Sequence, residues 1–275
     1  MSDSAEIFLD SLIANLGHHY GAERSIKFSQ SEIRSSRLLL TIHKNSLGHH
    51  NAENSLFNLL SELSFPSEHK DEISSRLAQA DIIHFGYEDY GQGFFYKCYL
   101  EFAQRVSKAE EKNALEPILV HFAIKWDPLK PEKVKFTQYH LRRFPSLNAI
   151  KHYVREVYLD CAQSCALKTT LQIIDLDAVS SVKDELMIMS VSELNSARYS
   201  YDINLYDAEL RLSDISSQLV NIADYFEVDT EEWQALYQND RGSKLGHVAG
   251  GIDEKGQEFY SVYFGVEERY KKIDN

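Results

Sequence analysis

The chain has 275 residues and a formal net charge of −13, with 43% apolar and 26% charged residues. These values are typical of a folded globular protein and argue against global disorder. The acidic charge argues against nucleic acid as a partner, because nucleic-acid binding needs clustered lysines and arginines. It argues more weakly against binding to an anionic membrane surface.

The sequence carries no pattern typical of a secretory signal or a membrane span. The first apolar stretch, residues 7–16, is short and is interrupted by Asp10 and Asn15. No run approaches the roughly 20 apolar residues that a membrane-spanning helix needs. We therefore expect a cytoplasmic protein with neither a membrane nor nucleic acid as a partner.

Helices and paired strands alternate along the chain. In order, the expected elements are a helix (5–17), strands (23–28, 36–44), a helix (51–63), strands (81–89, 94–102), a helix (103–114), strands (118–126, 134–144), a helix (146–165), strand-like segments (169–174, 186–191, 197–206), helices (210–226, 230–237) and strands (247–253, 257–266). A unit of two strands and a helix thus recurs about five times, at a spacing of roughly 40 to 60 residues.

The strand at 94–102 shows the pattern most clearly, because its two faces differ in chemistry. One face carries only apolar or weakly polar side chains, from Phe94 to Phe102. The other face carries Lys97, Tyr99 and Glu101. The first face is expected to pack against a helix, and the second to contact water or a polar ligand.

Hairpins that are joined by helices cannot form a parallel sheet, which needs single strands alternating with helices. The sequence therefore predicts an α+β fold, with an antiparallel barrel of about ten strands surrounded by helices and built from repeated strand–strand–helix units. The prediction is one domain over residues 1–275. Ten strands enclose more space than their side chains fill, so we expect a ligand chamber.

The polar and aromatic strand faces are predicted to line this chamber. The candidate residues are Arg37, Lys97, Tyr99, His140, Arg142, Tyr201 and Tyr263. Cations on separate strands can hold a multiply charged anion, and tyrosines can enclose a reactive cation. The alternative interpretation is that each residue is an ordinary polar group at a barrel mouth, paired with a carboxylate.

Other motifs point to no separate chemistry. The segment 246–251 is glycine-rich but opens a strand, which favours tight backbone packing over phosphate binding. The histidine pairs at 18–19 and 49–50 lack supporting cysteines or carboxylates, so we expect solvated loop histidines and no protein metal site.

Several short motifs together resemble a known family. They are Glu23-Arg-Ser-Ile-Lys-Phe28, Ser36-Arg37-Leu-Leu-Leu40, Phe85-Gly86-Tyr87 with the later Lys97, and the closing strand with Tyr260 and Tyr263. In order and spacing the chain resembles prenyltransferases of the ABBA barrel type. Within them it is most similar to the small cyanobactin prenyltransferases, which modify ribosomal peptides.

The resemblance implies a role for individual residues. Glu23 matches the carboxylate that orients or deprotonates the acceptor. Arg37 and Lys97 match cations that bind diphosphate, while Tyr99 and Tyr263 match tyrosines that shield the allyl cation. Two further residues are added from their expected strand faces alone: Arg142 as a diphosphate ligand and Tyr201 as a shield tyrosine. A Mg²⁺ ion bound through the diphosphate is also implied.

The predicted function is transfer of an isoprenyl group, dimethylallyl or geranyl, from its diphosphate to a nucleophilic side chain of a ribosomal peptide. One alternative is prenylation of a small aromatic metabolite. Another is a non-catalytic barrel that binds a hydrophobic ligand or a peptide. The absence of an Asp-Asp-x-x-Asp run argues against the all-helical isoprenoid synthases.

Overall fold

A computed structural model describes residues 2–48, 51–111, 116–158, 161 and 163–270. The strands are β1 (Tyr20–Ser29), β2 (Glu32–Arg34), β3 (Arg37–His43), β4 (Ile82–Asp89), β5 (Phe94–Glu101), β6 (Ile118–Asp127), β7 (Lys130–Arg142), β8 (Ile188–Glu193), β9 (Tyr199–Asn204), β10 (Leu245–Ile252) and β11 (Glu258–Arg269). The α-helices are α1 (Ser2–Ala14), α2 (Ala52–Glu62), α3 (Lys70–Leu77), α4 (Ala103–Glu111), α5 (Leu147–Val157), α6 (Cys165–Ile174), α7 (Asp177–Ser181), α8 (Ser216–Tyr225) and α9 (Thr230–Asp240).

The described strands form one antiparallel sheet that closes on itself. From β3 to β11 each strand pairs with the next one along the chain, and β3 also pairs with β1. The last strand, β11, pairs with β1 as well, where Ser25 lies opposite Tyr263. The barrel contains ten of the strands, and the short β2 extends the β1 edge outside it. The predicted ten-stranded barrel with surrounding helices is therefore confirmed.

The barrel wall has an apolar outer face and a polar inner face, as the β5 pattern predicts. Tyr96, Cys98 and Leu100 are buried outside the barrel in an apolar cluster that also contains side chains of α1, α2 and α3. A second apolar cluster lies outside the other half of the barrel, beneath α5, α6, α8 and α9. Burial of these two clusters fixes which face of each strand points inward, because a shift of one residue would expose the apolar side chains.

Two expected elements between residues 146 and 174 were wrong. The helix that follows Ser146 ends at Val157 and does not continue to residue 165. The segment 169–174, expected to be a strand, belongs to helix α6. Ser164 caps this helix by accepting a hydrogen bond from the Leu167 amide. Its β-branched residues are typical of strands but here pack against the barrel.

No helix in the described ranges is long and apolar enough to cross a membrane. The histidine pair at 49–50 lies outside the described residues. The glycine-rich segment 246–251 lies in β10, and it is tightly packed: a Cβ atom on Gly250 would meet two tyrosine hydroxyl groups at 2.6 Å. The prediction of close backbone packing in this segment is therefore confirmed.

Candidate active site

The barrel lumen holds two adjoining cavities. The larger one, called here the wide chamber, has a volume of about 380 Å³. The smaller one, called here the cation pocket, has a volume of about 70 Å³. Six residues line both cavities and form the waist between them: Arg37, Lys97, Tyr99, Tyr139, Asp202 and Tyr263. At the other end of the wide chamber the lining residue Val266 is 47% exposed, so the chamber reaches the surface there.

Five cationic side chains from different parts of the barrel converge in the cation pocket. They are Lys27, Arg37, Lys97, Lys125 and Arg198. The buried carboxylate of Glu88, on β4, lies among them. It is 2.5 Å from Lys97 Nζ and 3.2 Å from Lys125 Nζ. Positive charge therefore exceeds negative charge in this pocket, although the chain as a whole is acidic.

Burial and mutual repulsion weaken the protonation of the three lysines. Burial, opposed by Glu88, lowers the pKa of Lys97 to about 8. The same causes lower the pKa values of Lys27 and Lys125 to about 7. Burial alone would raise the pKa of Glu88, but the surrounding cations outweigh it and hold that pKa well below its ordinary value. An incoming anion would favour the charged form of each lysine.

Two guanidinium groups in the cation pocket have an unsatisfied donor. Arg37 Nε and Arg198 Nε are buried and have no hydrogen-bond partner among the described residues. A buried donor without a partner costs about 1–3 kcal/mol, and more when it is charged. A multiply charged anion with several acceptor oxygens would satisfy both donors.

Aromatic rings form half of the waist. The rings of Tyr99 and Tyr139 lie 6.0 Å apart, and the guanidinium of Arg37 lies 5.6 Å from the ring centre of Tyr263. Burial raises the pKa of each of these tyrosines. Each therefore stays a neutral phenol, with a π-face and a hydroxyl donor, next to the cation pocket.

Glu23 lies on the wall of the wide chamber. The residue is 8% exposed, and its carboxylate accepts a hydrogen bond from the hydroxyl of Tyr206. Burial raises the pKa of this carboxyl, while the neighbouring His247 and the Tyr206 hydrogen bond act in the opposite direction. A carboxylate with a raised pKa in a dry site is a stronger base than one in water.

A second charged pair lies beside Glu23. His247 Nδ1 is 2.7 Å from Asp202 Oδ1. Burial lowers the pKa of His247, but Asp202 and Glu23 outweigh it and raise that pKa to about 9. His247 is therefore a cation at neutral pH, and its charge helps to keep Glu23 ionised.

The structure brings five of the predicted site residues together in the lumen: Glu23, Arg37, Lys97, Tyr99 and Tyr263. The placement of Arg142 was wrong. Arg142 lies on the outer face of β7, where its guanidinium stacks 5.0 Å from the ring centre of Tyr153 on α5. His140 shares that outer face, so the inward residues of β7 are Thr137 and Tyr139.

The placement of Tyr201 as a shield residue was also wrong. Tyr201 borders the cation pocket, but its hydroxyl points away from the lumen and contacts Thr170 on α6 and Tyr158. Its neighbours on β9, Ser200 and Asp202, carry the inward face. An aromatic residue with a buried hydroxyl partner is as stable beneath a helix as in a lumen, so residue type alone did not decide the face.

Sequence reasoning missed several lumenal residues. They are Lys27, Glu88, Lys125, Tyr139, Arg198, Asp202, Tyr206 and His247. Alternation along β1 offered a signal for Lys27, which shares a face with Glu23. The remaining residues could be recognised only once the structure showed which face of each strand points inward and how the barrel closes.

Comparison with solved structures finds similar folds at low sequence identity. The chain is similar to the prenyltransferase PriB in its ternary complex with L-tryptophan and dimethylallyl thiolodiphosphate, with 11% identity, a TM-score of 0.57 and coverage of 92% of this chain and 82% of that chain. AnaPT from Neosartorya fischeri is 15% identical, with a TM-score of 0.55 and coverage of 92% of this chain and 80% of that chain. 5-dimethylallyltryptophan synthase from Streptomyces coelicolor is 10% identical, with a TM-score of 0.56 and coverage of 88% of this chain and 80% of that chain.

No family model and no curated protein matches the sequence. At identities this low, the likeness to solved structures concerns the arrangement of strands and helices. That arrangement is a closed ten-stranded antiparallel barrel inside a ring of helices. The chain therefore has the barrel fold of the ABBA-type prenyltransferases.

Proposed function

We propose that the protein is a prenyltransferase that moves an allylic isoprenyl group from its diphosphate to a nucleophilic acceptor. The observation that carries this proposal is the cation pocket behind the tyrosine waist. Five cations with two unsatisfied guanidinium donors fit a diphosphate, and the adjoining rings fit the isoprenyl chain. The fold shared with PriB and AnaPT supports the same function.

The cation pocket would promote departure of the diphosphate. When the bond between the allylic C1 and the diphosphate oxygen breaks, its electron pair leaves with the diphosphate. Lys27, Lys97, Lys125 and Arg37 then surround the developing charge. Because these groups are already in place and buried, they stabilise that charge without reorganisation.

The waist tyrosines would protect the allyl cation. Their π-faces attract a cation, and their rings exclude the water that would otherwise capture it. Tyr99, Tyr139 and Tyr263 take this role, and Tyr139 replaces the predicted Tyr201.

Glu23 would accept the proton of the acceptor on the chamber side of the waist. The acceptor attacks C1 with an electron pair and loses a proton, for which Glu23 is a buried base. Tyr206 holds the carboxylate in position, and the His247 cation keeps it ionised before the reaction.

The implied Mg²⁺ ion stays a prediction. The described residues do not fit a Mg²⁺ site of the protein's own, because Glu88 is engaged by Lys97 and Lys125, and Asp202 by His247. Mg²⁺ prefers oxygen ligands and keeps several waters. It would therefore enter with the diphosphate.

We propose a peptide side chain as the acceptor, as the resemblance to the cyanobactin enzymes implies. The exposed rim at Val266 supports entry of a bulky acceptor. A small aromatic acceptor is the second candidate. A cavity of about 380 Å³ is within the usual range for small-molecule sites, and PriB forms a complex with L-tryptophan.

The test is mass spectrometry after incubation with dimethylallyl or geranyl diphosphate. One arm supplies free tryptophan and tyrosine, and the other supplies peptides that contain each nucleophilic residue. Prenylated peptides without prenylated amino acids support the first candidate, and the reverse result supports the second. Donor binding without any product in either arm would favour the non-catalytic barrel.

Glu23→Gln is expected to lower the rate of transfer by about 10²–10⁴-fold, because the amide cannot accept the proton. Binding of inorganic diphosphate should be unchanged, since the cation pocket is intact. The matched control is Glu72→Gln, which alters an ion pair with Arg76 on the surface of α3. Full activity of the Glu23 variant would remove Glu23 from the mechanism.

A further inference from the structure

Three side chains on neighbouring strands converge on the wall of the wide chamber, on its side away from the cation pocket. His84 lies on β4, Glu101 on β5 and His121 on β6. The strand register places Glu101 directly opposite His121. Their ligand atoms lie within 4.8 Å of one another. The predicted function uses none of these residues.

The distances within this cluster leave a gap in its hydrogen bonding. His84 Nε2 is 2.7 Å from Glu101 Oε2, whereas His121 Nδ1 is 3.9 Å from the same oxygen. His121 Nδ1 is buried and has no hydrogen-bond partner among the described residues. A buried ring nitrogen that has no hydrogen-bond partner but lies near a carboxylate and a second imidazole is a donor that a metal ion among the three groups would satisfy.

We propose that His84, Glu101 and His121 hold a divalent transition-metal ion of the zinc type. Two imidazole nitrogens and one carboxylate oxygen are a donor set that Zn²⁺ accepts, at bond lengths of about 2.0–2.2 Å. A single ion placed among the three atoms would satisfy His121 Nδ1 and replace the hydrogen bond between His84 and Glu101.

A second contact of His84 also fits this site. Thr41 Oγ1 lies 2.8 Å from His84 Nδ1. With a metal on Nε2, His84 carries its proton on Nδ1 and donates it to Thr41, which is the usual way of orienting a metal-binding histidine.

Three protein ligands leave at least one coordination position open toward the chamber, as in zinc sites that bind a water or a substrate. The ion is distinct from Mg²⁺ at the diphosphate. Mg²⁺ prefers oxygen ligands and should not compete for a site with two imidazoles. The proposal does not depend on prenyl transfer, since the site exists without a donor.

The test uses the full-length protein after treatment with EDTA and dialysis. Titration with Co²⁺ is followed by visible absorption, and Zn²⁺ is then added as a competitor. We expect saturable Co²⁺ binding that Zn²⁺ displaces and Mg²⁺ does not. His121→Ala and Glu101→Gln should abolish the signal, while Thr41→Val should weaken the affinity by about 10–100-fold.

The matched control is His140→Ala, which removes a histidine that lines neither the wide chamber nor the cation pocket. Circular dichroism establishes that each variant is folded. As a second measurement, Zn²⁺ should raise the melting temperature of the wild type but not of His121→Ala. Absence of saturable binding to the wild type, or equal affinity in His121→Ala, would overturn the proposal. Because no prenyl donor is present, neither result bears on prenyl transfer.

Discussion

Gly246 shows how a single missing side chain makes room for the proposed base, Glu23. An added Cβ atom at Gly246 would collide with the Glu23 carboxylate and lie 2.9 Å from the hydroxyl of Tyr206. Both groups therefore occupy space that only glycine leaves open. The glycine-rich sequence of β10 indicates close packing, and the structure shows that the packed atoms belong to the proposed base.

Gly246→Ala is expected to displace Glu23 from Tyr206 and to lower prenyl transfer, with diphosphate binding retained. The collision should cost about 1–3 kcal/mol in the free energy of unfolding. Gly242→Ala is the control, because nothing lies within 4 Å of a Cβ atom there. It should change the free energy of unfolding by less than about 1 kcal/mol. Wild-type turnover in the Gly246 variant would show that the position of Glu23 is not critical.

At the scale of the element, β7 and β9 show why polar residues do not identify an inner face. On β7, Arg142 is polar but lies outside, where Tyr153 on α5 covers its guanidinium. On β9, Tyr201 lies outside because α6 offers its hydroxyl a partner. A helix that presents polar groups to the barrel thus permits polar side chains on the outer face of a strand.

Tyr201→Phe and Tyr263→Phe are expected to behave differently. Tyr201→Phe removes a buried hydrogen bond to Thr170 and should cost about 1 kcal/mol in stability, with turnover unchanged. Tyr263→Phe alters the waist next to Arg37 and should lower turnover. Chemical denaturation and steady-state kinetics on both variants measure this difference. Loss of turnover in Tyr201→Phe at unchanged stability would contradict the outward placement.

At the scale of the whole molecule, barrel closure concentrates positive charge inside an acidic protein. Lys27 on the first strand and Arg198 just before β9 meet only because β11 pairs with β1. Burial, together with repulsion among the cations, lowers the pKa values of the pocket lysines Lys27 and Lys125. The chain therefore maintains a pocket that is more stable with an anion than without one.

Diphosphate affinity is expected to fall as the pH rises through about 7 to 8. Below this range the lysines are already charged, and binding takes up no proton from solution. Above it, the free pocket has neutral lysines that diphosphate must protonate, so affinity falls by up to about tenfold per pH unit for each proton taken up. Calorimetry in buffers of different ionisation enthalpy measures this uptake.

Lys125→Met distinguishes proton uptake by the pocket lysines from proton uptake by diphosphate itself. The variant lacks one lysine whose pKa is near 7, so it should take up fewer protons than the wild type at the same pH. Equal uptake by both proteins would mean that Lys125 is charged before diphosphate binds.

The alternation of side chains along single strands predicted much of the site. In β1, β3 and β5, the inward positions of Glu23, Arg37 and Lys97 followed from an apolar face on the opposite side. The prediction failed for Arg142 and Tyr201, whose outer faces pack on helices with polar or aromatic groups. It also failed over 169–174, where threonines in a helix resembled those of a strand.

The sequence by itself determined the repeated hairpin-and-helix order, the two-faced strands and therefore the barrel, because local periodicity encodes which side of each strand is buried. Only the tertiary structure decided which cations share a pocket, which tyrosines form the waist, and that Glu23 meets Tyr206. Residues 183 positions apart, such as these two, become neighbours through strand pairing and barrel closure. No local pattern in the chain records that pairing.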